Sequence, residues 1–182
     1  AQVSLDKRFS RGFSIVSSYT FSKSIDSTFG SSTDGFATDP NNFRFERGPS
    51  VFDCTHAFVT SFVWSLPESA GWNRALRTVL GGWQVTGIAS LYSGAPLVYS
   101  ASQDRSLNGQ PNRPNLLRDP RLDTGRPRGE YILQYFDRTA FAVNPPGQIG
   151  NAPAKDPRVR APGAVGSDLG VNKMFILTER FR

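Results

Sequence analysis

The sequence predicts an all-β fold, an antiparallel sheet of about five long strands whose connections alternate between short and very long. Five segments alternate apolar and polar residues with a period of two, the pattern of a strand whose two faces meet different surroundings. Glycine occurs 17 times and proline 13 times in the 182 residues, which disfavours long helices. Aromatic residues make up 12% of the chain and sit in short alternating runs rather than at helical spacing.

The predicted strands are the alternating segments themselves. They cover residues 1–9, 13–25, 56–66, 83–93 and 165–175. Between the first two, Ser10-Arg11-Gly12 predicts a tight turn, because glycine accepts a positive φ. The second strand exceeds the ~5–6 residues typical of globular sheets. It suits a tilted strand that crosses a bilayer, which needs ~9–11 residues.

Alternation assigns the strand residues to two faces. The apolar face is predicted to include Val3, Leu5, Phe13, Ile15, Phe21, Val85 and Leu91. The polar face is predicted to include Ser14, Ser18, Thr20, Gln84 and Thr86. In a transmembrane barrel the first set would face lipid and the second the lumen.

The connections predict an orientation. Residues 10–12 and 67–82 are short connections, the second with one or two helical turns before Gly81-Gly82. Residues 26–54 and 95–164 are very long, mostly irregular connections, with a short helix or strand expected near residues 131–141. Outer-membrane barrels have short periplasmic turns and long extracellular loops, so the two long connections are predicted to be extracellular.

A transmembrane β-barrel segment, open as given, is therefore the expected architecture. Five strands are fewer than the ~8 of the smallest bacterial barrels, so we expect the sheet to belong to a larger barrel. No stretch approaches the ~18–20 consecutive apolar residues of a membrane helix. The formal net charge of +6 raises the question of nucleic acid, but the arginines are spread through proline-rich loops without a compact basic helix.

Several segments together resemble one family. They are residues 5–12 (LDKRFSRG), 18–26 (SYTFSKSID), 39–42 (DPNN), 46–50 (ERGPS), 80–87 (LGGWQVTG) and 93–96 (SGAP). As a set they resemble the C-terminal barrel region of TonB-dependent receptor-like proteins of the Oar-like group. The resemblance covers the whole chain. It departs from the family before the third strand, where only Asp53 and His56 match an Asp-Val-Arg-His-like run.

The resemblance implies a function and partners. Members carry an N-terminal carboxypeptidase-regulatory-like domain, a plug and a large barrel, and they import ligands with energy from the TonB complex. The chain is accordingly expected to be part of the barrel wall of a transporter in the outer membrane of a Gram-negative cell. Its expected partners are outer-membrane lipid and lipopolysaccharide, the rest of its own barrel and plug, the TonB complex through an N-terminal region, and an unknown ligand. Neither nucleic acid nor a cofactor is expected.

The long loops supply the candidate ligand-facing residues. They are Asp39, Arg44, Arg47, Arg105, Arg113, Arg118 and Arg121. An excess of arginine in residues 105–160 is consistent with an anionic ligand at the barrel mouth, or with lipopolysaccharide phosphates at its rim. The alternative is a solvated surface on which these arginines pair with neighbouring acids.

Four aromatic residues are candidates for the membrane interface. Phe9, Phe13, Trp64 and Trp83 lie near the predicted periplasmic strand ends, where barrels place amphipathic rings. The alternative is core packing in a β-sandwich, which would make the chain a secreted soluble adhesion or glycan-binding domain.

The sequence gives weaker evidence for a catalytic site than for a membrane barrel. His56 is the single histidine, and Ser50 and Asp53 lie close to it in sequence, which leaves a barrel-embedded hydrolase as a further alternative. A strand-start residue with local hydrogen bonds is the simpler interpretation, and we expect no enzymatic activity. Cys54 has no partner for a disulfide and is expected to be a half-buried thiol.

A metal site is not expected. The carboxylates Asp34, Asp39 and Asp53 lack the 12-residue loop pattern of a calcium site. Local turns explain them better.

Overall fold

A computed structural model describes residues 1–27, 38–39, 41–68, 71, 73–101, 103–109 and 112–175. In chain order its elements are β1 (Gln2–Ser10), β2 (Phe13–Phe21), β3 (Ile25–Asp26), a 3-10 helix (Phe43–Glu46), β4 (Gly48–Pro49), β5 (His56–Ser65), α1 (Arg74–Leu80), β6 (Trp83–Tyr92), β7 (Pro96–Leu97), β8 (Asn115–Leu116), α2 (Arg128–Leu133), a 3-10 helix (Arg138–Ala140), β9 (Phe141–Ala142), β10 (Asp156–Arg160) and β11 (Ala164–Lys173). None of the helices in this described part of the chain is long and apolar enough to cross a membrane.

The chain divides into two compact units. The sheet unit comprises residues 1–22 and 55–93 and the chain from residue 163 onward. The loop unit comprises residues 23–54 and 94–162, which are the two long connections of the sheet.

The sheet unit is one five-stranded sheet in the order β1-β2-β5-β6-β11. Every neighbouring pair is antiparallel, which confirms the predicted all-β antiparallel class. The strands have nine or ten residues each. Both short connections leave the sheet at one end, here named the short-turn end, and both long connections leave at the other, the long-loop end.

The strand bounds lie within two residues of the predicted ones, with one exception. β2 ends at Phe21, and the prediction that it continues to residue 25 is wrong. The chain leaves the sheet because it finds other partners inside the loop unit. The Ser24 amide donates to the Asp53 carboxylate at 2.6 Å, and β3 pairs with β4.

The register confirms the two predicted faces, because directly opposed residues of paired strands project to the same side. Phe13 opposes Trp64, Trp64 opposes Val85, and Phe58 opposes Leu91. The apolar face thus includes Val3, Leu5, Phe13, Ile15, Phe21, Phe58, Phe62, Trp64, Val85, Leu91, Val165, Leu169 and Val171. The other face includes Ser4, Asp6, Ser14, Ser18, Thr20, Ser61, Gln84, Thr86, Ser90, Asp168 and Asn172.

Two polar side chains in the middle of the apolar face form a hydrogen bond with each other. Ser17 and Thr60 oppose one another on β2 and β5, and their hydroxyl oxygens are 2.7 Å apart. This mutual hydrogen bond lowers the cost of placing polar groups on an apolar surface.

The tight turn between β1 and β2 has positive φ at both central residues, 53° at Arg11 and 80° at Gly12. That is the geometry of a type I′ hairpin turn, whose twist matches that of the flanking strands. A Cβ at Gly12 would lie 2.6 Å from the carbonyl oxygen of Ser65. Glycine is therefore required there by both conformation and space.

The second short connection contains α1, as predicted. Asn73 caps the helix, with its side-chain oxygen accepting from the Leu76 amide at 2.8 Å. Beyond the helix, Gly82 has a φ of 70° and returns the chain to β6.

Gly87 makes room for an aromatic ring on the apolar face. It opposes Phe62 across β5 and β6, and a Cβ there would lie 2.5 Å from the Phe62 ring and 2.9 Å from the Leu169 side chain. The ring lies over the backbone of the neighbouring strand.

Gly87→Ala is therefore expected to lower the free energy of unfolding by about 1–3 kcal/mol, because the Phe62 ring must shift. Urea unfolding of the intact protein in lipid vesicles measures it. Gly166→Ala is the matched control, since its Cβ would meet only the Ser90 hydroxyl, at 3.1 Å. Equal destabilisation by both variants would show that loss of glycine, rather than displacement of the ring, is the cause.

Candidate functional site

The two long connections fold together into the loop unit. Residues 94–162 are mostly irregular, as predicted, and carry α2 and β9 in the region where a short helix or strand was expected. Three two-stranded sheets tie the unit together: β3 with β4, β7 with β10 and β8 with β9.

Among the described residues of the loop unit, three ion pairs join its two segments. Each cation comes from residues 94–162 and each acid from residues 23–54. Arg113 pairs with Glu46 at 2.6 Å and Arg160 with Asp53 at 2.5 Å, and Lys155 pairs with Asp26. At least one partner of each pair is almost fully buried.

Arg113, like Lys155, is a fully buried cation. Its guanidinium donates to the Glu46 carboxylate, to the Thr38 hydroxyl, and to the carbonyl oxygens of Phe45 and Ala152. It also stacks 4.0 Å from the centroid of the Phe45 ring. Burial lowers the pKa of Arg113, and the charge of Glu46 opposes that shift.

The expectation that Arg113 faces a ligand is therefore wrong. Its side chain is fully buried and its donors are used within the protein. Sequence suggested a surface role because arginine is mostly exposed. Here a carboxylate, a hydroxyl and two carbonyl groups replace the lost hydration.

The other predicted loop residues lie nearer the surface. Arg118 and Arg121 are exposed and pair with Asp137 at 2.8 Å and Asp119 at 2.7 Å, which agrees with the alternative of local pairing. Arg121 holds the pKa of the Asp119 carboxyl below its usual value.

The four remaining predicted residues are exposed or locally bonded. Arg105 donates to the Asn144 carbonyl oxygen at 3.2 Å. Asp39 accepts from the Asn41 amide at 2.9 Å, as a turn residue does. Arg44 and Arg47 are exposed.

An aromatic-lined cleft of about 570 Å³ lies wholly within residues 94–162. Tyr99, Phe136 and Phe141 form its aromatic wall. The Tyr99 ring is 4.5 Å from that of Phe141 and 5.5 Å from that of Phe136, centroid to centroid. No local sequence pattern predicts this cleft, because its wall comes from two separate segments.

Arg138 lines the same cleft. Most arginines of residues 94–162 donate to acids or carbonyls, including Arg126, which bonds the carbonyls of Asp123 and Gln134. Within the part of the chain that the structure describes, Arg138 and Arg128 have no such partner. Of these two, only Arg138 borders the cleft.

The four predicted interface aromatics lie together at the short-turn end of the sheet. Phe13 opposes Trp64, and Trp83 opposes Lys173; Phe9 is near the end of β1. Two cations reach the same rings. The Lys173 ammonium lies 4.7 Å from the Trp83 ring and that of Lys7 5.1 Å from the Phe13 ring.

The residues weighed for a hydrolase have structural partners. His56 Nδ1 is 2.8 Å from the Tyr19 hydroxyl, and its ring packs against Phe21. The Asp53 carboxylate accepts from Arg160, and the Ser50 hydroxyl accepts from the Phe52 amide. Cys54 is half-buried, as predicted, and is not in a disulfide.

Metal-binding side chains do not converge in the described ranges, where no group of three His, Cys, Asp or Glu residues could hold an ion. Asp34, one of the residues considered for calcium, lies outside the described residues.

Comparison with known proteins gives one family. The model of the family described as outer membrane beta barrel domain matches residues 1–182. No curated protein and no solved structure matches the chain. The match confirms the predicted barrel class over the β-sandwich alternative and the predicted location in the cell outer membrane.

Proposed function

Since this chain belongs to the outer membrane beta barrel domain family, we propose that it forms part of the wall of a TonB-dependent transporter that imports a ligand across the outer membrane. The observation that carries the wall assignment is the register of the sheet. One face collects most of the aromatic and aliphatic side chains, and the other collects most of the polar ones together with Val16, Val59, Val63 and Ile88.

The apolar face meets lipid in this proposal. Its side chains are well exposed on β11, where Val165 is 77% and Leu169 75% exposed. A band of such residues with aromatic rings at its boundary is what the outside of a barrel presents. The opposite face, with Gln84, Thr86 and Asp168, lines the lumen.

Additional strands complete the barrel. β1 and β11 each have one strand neighbour within the described sheet, and a bilayer offers no hydrogen-bond partners to a free strand edge. We assign those missing partners to the rest of the same barrel, which surrounds a plug.

The connections set the orientation. Short turns face the periplasm in bacterial barrels and long loops face outward, so the loop unit is extracellular. Phe9, Phe13, Trp64 and Trp83 then mark the periplasmic interface. Lys7 extends along the Phe13 ring toward lipid headgroups, as amphipathic cations do at membrane boundaries. The Lys173 ammonium instead donates to the carbonyl oxygens of Val79 and Gly81.

The loop unit captures ligand in this account. Arg44, Arg47, Arg118 and Arg121 are exposed on it and can meet an anionic ligand or lipopolysaccharide phosphates; Asp39 and Arg105 contribute at its partly buried surface. Energy coupling through the TonB complex rests on the family resemblance and requires an N-terminal region of the protein. The outer membrane barrel family points to a structural or transport role, and we propose that the chain carries no enzymatic activity.

If the protein is a TonB-dependent transporter, uptake of its ligand should require the TonB complex and the proton-motive force. Cells with the intact gene, with the gene deleted, and with an inactive TonB complex are grown in a defined mixture of small molecules, and depletion of each compound is measured. At least one compound should disappear only when both gene and TonB complex are active, and a protonophore should stop its uptake.

A compound that enters through a passive porin serves as the control and should be unaffected. Gene-dependent uptake that survives the protonophore and loss of TonB would contradict energy coupling and indicate a passive channel.

A further inference from the structure

The cleft of the loop unit has the dimensions and composition of a small-molecule site. Its volume of about 570 Å³ falls within the ~300–1,000 Å³ typical of ligand pockets. Tyr99, Phe136 and Phe141 provide an aromatic wall, Val98 and Val143 are exposed apolar residues on its lining, and Ser100 and Gln103 add polar groups. An apolar cleft with a few polar groups is the usual composition of a binding site.

The aromatic wall has a fixed shape. Tyr99 is only 5% exposed, and its hydroxyl donates to the buried Asp156 carboxylate at 3.2 Å. The same carboxylate is held by Arg158 at 2.8 Å. Burial, together with the charge of Asp156, raises the pKa of Tyr99, which keeps the hydroxyl protonated as the donor of this bond.

The wall offers both an edge and a face to a further ring. The Phe136 and Phe141 rings are nearly perpendicular, with an interplanar angle of 84° and centroids 5.8 Å apart. Both are partly exposed. Aromatic groups prefer edge-to-face and offset-stacked contacts, so a flat ring in the cleft can pack against one of them in either way.

The charge of the cleft favours an anion. Arg138 is the cation on its lining, and no acidic residue is among the described residues that line it. The neighbouring Asp137 carboxylate is occupied by Arg118 and by the amide of Thr139. Arg138 therefore remains available as a planar, two-pronged donor, the geometry that matches a carboxylate.

We propose that this cleft binds a small aromatic carboxylate, with its ring packed against Phe136 and Phe141 and its carboxylate paired with Arg138. That this ligand class is the imported cargo rests on the proposed transport function. Binding itself requires only the loop unit in its folded form.

The test measures binding of 2-naphthoate and of its neutral analogue 2-naphthamide to the intact protein in detergent, by isothermal titration calorimetry. The wild-type protein should bind the carboxylate about tenfold more tightly than the amide, since a charge-assisted hydrogen bond exceeds a neutral one. Arg138→Gln should remove that preference by weakening the carboxylate about tenfold, with the amide unchanged.

Arg128→Gln is the matched control. Arg128 is the other unpartnered arginine among the described residues of this segment and does not line the cleft, so this variant should retain the wild-type preference. Val143→Trp should weaken both compounds, because it fills the cleft from an exposed position. Equal affinity of the wild type for both compounds, or equal effects of the Arg138 and Arg128 variants, would overturn the proposal.

The same variants separate binding from transport. If purified protein binds 2-naphthoate through Arg138 but cells do not import it, the cleft proposal stands and the cargo assignment fails. If neither compound binds while TonB-dependent uptake of another compound persists, the cleft proposal fails and the proposed transport function stands.

Discussion

The structure of the sheet depends first on one constraint. Every backbone N–H and C=O group within a bilayer must be paired inside the protein, since lipid offers no hydrogen-bond partners. β2, β5 and β6 meet it on both sides within the described sheet. Once the backbone is satisfied in this way, side chains alternate between two faces, and each face must suit its surroundings. The Ser17–Thr60 hydrogen bond and the packing of Phe62 over Gly87 are local adjustments to that requirement.

The loop unit is stabilised by a different kind of interaction. Among its described residues the buried apolar side chains are few and mostly small, and the larger buried side chains include Arg113, Lys155 and Glu46. Burying an ion pair costs desolvation energy, but removing one partner leaves an uncompensated charge, which is more costly. The three pairs therefore act less as a source of net stability than as a means of specifying which segments join. The hydrogen-bonding capacity of the Glu46 carboxylate is only partly used, because its second oxygen has no hydrogen-bond partner among the described residues.

Sequence predicted the sheet well because a period of two is a local signal that ten residues can carry. Most of the strand ends and the assignment of Leu91 and Thr86 to opposite faces follow from it, and the tight turn at Gly12 follows from the ability of glycine to adopt a positive φ. The end of β2 did not, because Ile25 continues the alternation while its backbone pairs with Pro49. The contacts of the loop unit cannot be predicted in this way, because they join residues that are distant in sequence. Arg113 and Glu46 are separated by 67 positions, and nothing near either residue distinguishes a buried ion pair from an exposed charge. The aromatic wall around Arg138 was missed for the same reason.

If the sheet is a membrane wall with one lipid face and one aqueous face, the reagents that reach its side chains must alternate along β6. Single cysteines at each position from Gln84 to Leu91, in a Cys54→Ser background, would carry spin labels in the intact protein reconstituted in vesicles. Collision with oxygen, which partitions into lipid, and with a water-soluble nickel complex would be measured at each position. Strict alternation is expected, with Val85, Ala89 and Leu91 accessible to oxygen and Gln84, Thr86 and Ser90 accessible to the nickel complex. Labels at the apolar positions that are shielded from both reagents, as in the core of a soluble sandwich, would contradict it.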